Sequence, residues 1–208
     1  MKRLLLAALL SGCATAQVAY NPRADFGKVK RVAVLTFDGP QGDAAAELMT
    51  QSLVFYGADV VERRRLEAVL AEQRLSASGL LDPATAKRVG GILGVDALFV
   101  GTVVQSLPEQ SYLVAGSRDN RLTTVTPVSR PNLSPGLSVP GVPDSQVVTS
   151  NASVSLVSRL VDVQTGSILW AGSMSYEGLD IASAMRTITT SFVDSLVPIW
   201  TDLRRPKR

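Results

Sequence analysis

The sequence predicts an α/β (α+β) fold: a single domain built on a mixed β-sheet flanked by helices, with a long proline-rich insertion. Three observations carry this expectation. Short continuous apolar runs, Arg31–Phe37 and Asp96–Val104, alternate with segments whose apolar residues recur at helical spacing. Two further apolar runs meet at Gln164-Thr165-Gly166, the composition of a hairpin turn. Six of the 11 prolines fall between Ser106 and Val147. At 208 residues and 46% hydrophobic content the chain is long and apolar enough for about one domain with a sizeable core.

Taken in order, residues 17–28 read as a short polar connector containing Asn21-Pro22. Arg31–Phe37 reads as a buried strand, closed by the breakers Gly39-Pro40-Gln41-Gly42. A helix follows, with Asp43 available as its cap and Glu47 in its first turn, both favoured by the helix dipole. Its residues Ala45, Leu48, Met49, Leu53 and Tyr56 share one face, and Gly57 ends it. Residues 58–62 form a second short strand, and residues 63–75 a second helix with Leu66, Val69 and Leu70 inward. Asp82-Pro83 opens a third helix as an N-cap followed by proline at the first helical position. It runs to Leu93, with Gly94 as terminator. Asp96–Val104 is the third strand.

Within the insertion, residues 106–147, each proline removes a backbone donor. The stretch is therefore expected to hold no interior strand or helix and to be exposed, mobile or partner-bound. Regular structure resumes over 147–163, turns, and returns over 167–174. A final helix from Asp180 to Leu203 carries Ile181, Met185, Ile188, Phe192, Leu196 and Trp200 as its buried stripe, with Pro198 kinking its last turns. The domain spans 29–203, and a short basic tail covers 204–208.

The amino terminus carries a processing motif. Lys2 and Arg3 precede the apolar run Leu4–Leu10, and small residues follow, which is the order of an export signal. The run is far shorter than the ~20 apolar residues of a spanning helix. Leu10-Ser11-Gly12-Cys13 resembles the lipobox of bacterial lipoproteins, where cleavage precedes a cysteine whose sulfur has become a diacylglyceryl thioether. An ordinary secretory peptide cut near Ala16 would discard Cys13. The lipobox order favours residues 1–12 as the signal and 13–28 as a lipidated amino terminus with a short linker. Cys13 is the chain's one cysteine, and a lone thiol in an oxidising compartment has no disulfide partner; acylation resolves this. Two or three acyl chains, at ~0.8 kcal/mol per buried methylene, make a firm anchor. Ala14 rather than Asp follows the cysteine, and by resemblance to other lipoproteins this places the anchor in the periplasmic face of the outer membrane.

Absences narrow the chemistry. The sequence contains no histidine. With the thiol acylated, Ser-His-Asp and Cys-His nucleophilic sites and the usual zinc and copper sites are removed. Carboxylate-only chemistry remains open in principle. Gly39–Gly42 lacks the Gly-Lys-Ser/Thr of a phosphate loop. Gly90-Gly91-Ile92-Leu93-Gly94 closes a helix, whereas a dinucleotide fingerprint opens one. Glu62-Arg63-Arg64-Arg65 reads as a solvated face or a contact with a neighbouring subunit. No catalytic residue, cofactor site or metal site is expected, and the chain reads as no enzyme. Loss of Lys2 and Arg3 with the signal brings 21 Lys and Arg to 19 against 18 Asp and Glu, a net charge of about +1. That is no footprint for nucleic acid.

Four segments carry a resemblance: VAVLTF, VVERRRLEAVLAEQ, GLLDPATAKRVGGILGVDALFVGTV and SRLVDVQTGSILWAG. In this order they resemble the CsgG/HfaB-type lipoproteins, over most of the chain outside the insertion. The resemblance implies an α/β domain at the periplasmic face of the outer membrane. It implies protein partners in the assembly or export of surface fibres or adhesins, or in the regulation of envelope machinery, and leaves a homo-oligomer open. In the pore-forming branch a ring of subunits closes two β-hairpins from each into one barrel, because an open sheet edge cannot face lipid. The first hairpin would fall in the insertion. There Thr149, Asn151, Ser153 and Ser155 alternate with Ala152, Val154 and Leu156, but Pro108 breaks the outgoing limb. The second has no room, since Tyr176-Glu177-Gly178-Leu179 passes straight into the last helix. Asp162, Thr165, Gly166 and Trp170 also resemble a pattern of the LpoB-type lipoprotein activators of peptidoglycan synthases. Such proteins reach through the cell wall; the connector here, about 12–15 residues, spans only ~50 Å at full stretch.

Overall fold

The computed structural model describes residues 15–61, 83–116, 122–127 and 145–204. Its strands are β1 (Gln17–Tyr20), β2 (Arg31–Val34), β3 (Asp59–Val61), β4 (Ala97–Leu107), β5 (Gln110–Gly116), β6 (Leu122–Pro127), β7 (Ser145–Ser150), β8 (Ala152–Asp162) and β9 (Ile168–Gly178). Its helices are α1 (Gly42–Phe55), α2 (Pro83–Leu93) and α3 (Ile181–Leu196). Six strands form a mixed sheet in the order β1-β9-β8-β4-β2-β3. β2 runs parallel to β3 and β4, and the remaining neighbours are antiparallel. The α/β class with a mixed sheet is observed.

Apolar side chains alternate along the long strands, so each face of the sheet recruits its own helices. On one face α1 and α3 pack against each other and against β4, β8 and β9. The stripe Met185, Ile188, Phe192 and Leu196 of α3 is buried there with Met49 and Leu53 of α1 and with Phe99, Leu156 and Leu160. Each such side chain stabilises the fold by about 1.5–3 kcal/mol when fully buried. Trp170 is the centre: its ring meets Phe192 edge-on at 5.4 Å and Phe99 at 6.4 Å. Its indole Nε1 donates to Ser195 Oγ at 3.1 Å, so the buried ring has a polar partner. The opposite face is covered over β2 and β4, where Ala33, Leu35, Leu98 and Val100 pack with Leu93, Val95 and Val163.

Two motifs noted in the sequence take structural roles. A Cβ on Gly90 would lie 2.0 Å from Val163 Cγ1, so glycine lets α2 sit directly on the β8–β9 hairpin. Asp162 Oδ1 accepts from Thr165 N at 2.6 Å and Thr165 Oγ1 at 2.7 Å, and Gly166 takes φ +71° to close that turn.

The structure corrects four expectations. Residues 17–28 are not all connector: β1 pairs antiparallel with β9, and Phe26 is buried in a short 3₁₀ turn. Helix α1 is preceded by Gln41 in the left-handed region at φ 58°, with no side-chain cap, and Asp43 stands in the first turn instead. The last helix stops at Leu196, not Leu203, because Pro198 has no N–H to continue the ladder. Trp200 stays buried beyond it and donates from Nε1 to the Val29 carbonyl at 2.9 Å.

The fourth correction concerns 106–147, which contains a three-stranded sheet ordered β6-β5-β7. Its strands avoid the prolines. Pro108 precedes β5, and Pro127 is the last residue of β6, which lies at the edge of the described sheet, where proline is tolerated. Pro131, Pro135, Pro140 and Pro143, the predicted helix at 63–75, the run Glu62–Arg65, Asp82 and residues 205–208 lie outside the described residues.

Candidate functional site: the amino-terminal end of the sheet

Cys13 also lies outside the described residues, but the chain close behind it is fixed. Gln17, Val18, Ala19 and Tyr20 pair with Ser173, Gly172, Ala171 and Trp170. The Tyr20 end is secured further by Asn21 N, which donates to the Leu169 carbonyl at 2.8 Å. Only three residues, Ala14, Thr15 and Ala16, separate Cys13 from Gln17, about 14 Å of fully extended chain.

The strand registers give this edge a direction. β1 runs antiparallel to β9, so Gln17 points toward the end of the sheet where β9 finishes at Gly178. Gly178 pairs with Ala152 at the start of β8, and Ser153 pairs with Leu107 at the end of β4. The three-stranded sheet leaves from that same end. Gln110 of β5 pairs with Ser150 of β7, so the β4–β8 ribbon continues into a β5–β7 arm after a break at Pro108-Glu109 opposite Asn151. The amino terminus and the arm therefore share one end of the domain.

The opposite end carries ion pairs. Lys30 Nζ lies 3.0 Å from Asp202 Oδ2, and Arg31 Nε lies 3.0 Å from Asp59 Oδ2. The backbone amides of Lys30 and Arg31 both donate to Asp96 Oδ2, at 2.8 and 3.0 Å. By contrast, the 19 residues of β5, β6 and β7 include no Asp, Glu, Lys or Arg.

Beside the amino terminus, β8 and β9 present Ser155, Val157, Ser173 and Ser175 on the face away from α3. Ser155 and Ser175 hydroxyls lie 2.7 Å apart. Thr15, Gln17 and Val104 join them around a shallow groove of about 470 Å³. This lining of hydroxyls and small apolar groups holds no acid–base pair. Among the described residues no three His, Cys, Asp or Glu come together as a metal site, and no helix is long and apolar enough to cross a membrane.

A family model described as curli production assembly/transport component CsgG matches residues 12–193. The chain belongs to the CsgG family. The match spans β1 through most of α3, so it includes the edge strand, the long ribbon and the arm of this CsgG-family domain. No curated protein matches the chain. Among solved structures it is similar to the PelC dodecamer from Paraburkholderia phytofirmans, at 14% identity over 93% of this chain and 100% of that one, TM-score 0.49. Lipoprotein GNA1162 from Neisseria meningitidis gives 16% identity over 82% and 97%, TM-score 0.46. The LpoB C-terminal domain from Escherichia coli gives 15% over 74% and 87%, TM-score 0.41.

Strand β1 and the arm strands are the parts of this site that sequence reasoning missed. Gln17–Tyr20 is exposed throughout, so it lacks the buried alternation by which a strand is read. The arm did leave a signal: proline-free, uncharged, β-branched runs between the prolines, at 110–116 and 145–150.

Proposed function

We propose that this CsgG-family chain is a lipoprotein held at the periplasmic face of the outer membrane by acylated Cys13. It acts in the assembly or secretion of surface fibres or adhesins through protein–protein contacts, without catalysing a reaction. The observation that carries the reading is the β1–β9 pairing. An acyl group on Cys13 would be joined to the paired sheet edge through three residues, so the anchor would fix the domain's position as well as its compartment. Such a module presents folded surfaces at a constant height above the membrane, as an assembly platform requires.

The same short connection weighs against a synthase activator reaching through the wall from the outer membrane, since less than ~20 Å of chain stands between Cys13 and β1. It is compatible with a channel subunit. Among the described residues, however, the arm strands have 6–7 residues, and a transmembrane strand needs about 9–11. Between β9 and α3 only Leu179 and Asp180 intervene, which leaves no second hairpin.

The test is display. A strain lacking the chain is expected to lose a surface fibre or adhesin, scored by electron microscopy and by proteomics of the shaved cell surface. Wild type restores it and Cys13→Ser does not. Unchanged surface display in the deletion strain would contradict the reading.

A further inference from the structure

Opposed residues in antiparallel strands share a face, so the arm's registers sort its side chains. Tyr112 lies opposite Val148 on one side and Pro127 on the other, and Val114 lies opposite Val125 and Gln146. These five apolar residues form a continuous patch across three strands. Val125 is 58% exposed, Val148 is 46% exposed, and Pro127 is also exposed. On the alternate face Val147 is only 1% exposed and Ser145 is buried. One face of the arm, its outer face, therefore exposes apolar side chains alongside Gln110, Gln146 and Ser150, while the other buries Val147 and Ser145 and exposes Thr126 and Thr149.

We infer that this outer face rests in the interfacial region of the lipid bilayer to which Cys13 is anchored, as a second contact between domain and membrane. Three observations select lipid as the occupant. First, the arm leaves the same end of the sheet as the amino terminus, and at most about 14 Å of chain joins Gln17 to the acylated residue. Second, the 19 strand residues carry no charge and are rich in Ser, Thr, Val and one Tyr. That composition suits the boundary between headgroups and acyl chains, where hydroxyls stay hydrated and apolar groups are buried. Third, the arm as described is too short to cross the bilayer: its strands have 6–7 residues where a spanning strand needs about 9–11, and among the described residues β6 and β7 have no partner on their outer edges. An uncharged sheet that cannot span but sits beside an anchor lies along the surface. The break at Pro108-Glu109 and Asn151 supplies the bend that this requires.

The inference rests on acylation of Cys13, and the experiment separates the two. In the acylated protein Cys13 is a thioether, so Val125→Cys or Val148→Cys provides the sole free thiol. A polarity-sensitive fluorophore is attached at 125, at 148, or at 59 (Asp59→Cys) on the distant edge strand β3. The full chain is reconstituted in phosphatidylethanolamine–phosphatidylglycerol vesicles containing nitroxide lipids. Labels at 125 and 148 are expected to shift to the blue and to be quenched by the lipids, and the label at 59 to do neither. Equal behaviour at all three positions in protein that floats with the vesicles would overturn the inference, as would protection at 125 that is present without vesicles, which would mark a second protein chain on the patch. Failure of wild type to float would count against the anchor alone. The arm is then judged in the Cys13→Ser background with vesicles added, where no blue shift at 125 would refute it.

Discussion

Gln17 lies directly opposite Ser173 in the outermost ladder of the six-stranded sheet. A segment that reads as loose connector is thus part of the folded domain, and the amino terminus leaves from a defined place.

Replacing Cys13 with Ser is expected to move the protein from the outer-membrane fraction to the soluble periplasm with no change in melting temperature. Acyl chains on Cys13 would supply attachment to the bilayer rather than packing within the sheet. Fractionation with immunoblotting checks this. Retention of Cys13→Ser with the membranes would show that the anchor is not the main tether.

Trp170→Ala should be among the most damaging core substitutions. It leaves a void between Phe99 and Phe192 and strands Ser195 Oγ without its donor. The expected loss is about 3–5 kcal/mol in urea unfolding. A loss under ~1 kcal/mol would mean that α3 is not packed on the sheet as described.

Gly90 and Val163 offer a sharper test of α2 packing, because the new methyl of Gly90→Ala would collide with the valine methyls. Overpacking is expected to cost about 1–3 kcal/mol. Val163→Ala costs stability alone but should recover part of the loss in the double variant, a coupling that a double-mutant cycle measures. Strict additivity would contradict the contact.

The arm should open separately from the domain, because the ladder is broken at Pro108-Glu109 and Asn151. In hydrogen exchange, amides of β5 and β7 are expected to exchange faster than those of β8 around Leu156 and Leu160. Val147→Asp, which buries a charge in the arm, should abolish protection of β5 and β7 and leave β8 protected. Loss of protection in both would make the arm an integral part of the domain core.

Much of this fold was legible from residue pattern alone. Val32–Leu35, Ala97–Val100 and Leu169-Trp170 are buried, so their side chains announce the strands, and the periodic stripe of α3 announces the helix. What escaped was decided elsewhere. β1 is made by its partner β9, not by its own alternation. Gln41 caps α1 through backbone geometry that no side chain advertises. The arm was hidden by its prolines, which mark where strands stop and say little about the runs between them. Asp162, Thr165 and Gly166, grouped in the sequence as a family pattern, build a turn.

The claim on which the account depends is that Cys13 becomes the lipidated first residue. Intact and peptide mass spectrometry of protein purified from outer membranes tests it directly. An amino-terminal peptide beginning at Cys13 and carrying diacylglyceryl and acyl groups is expected. An unmodified amino terminus downstream of position 13, such as one beginning just after Ala16, would contradict it.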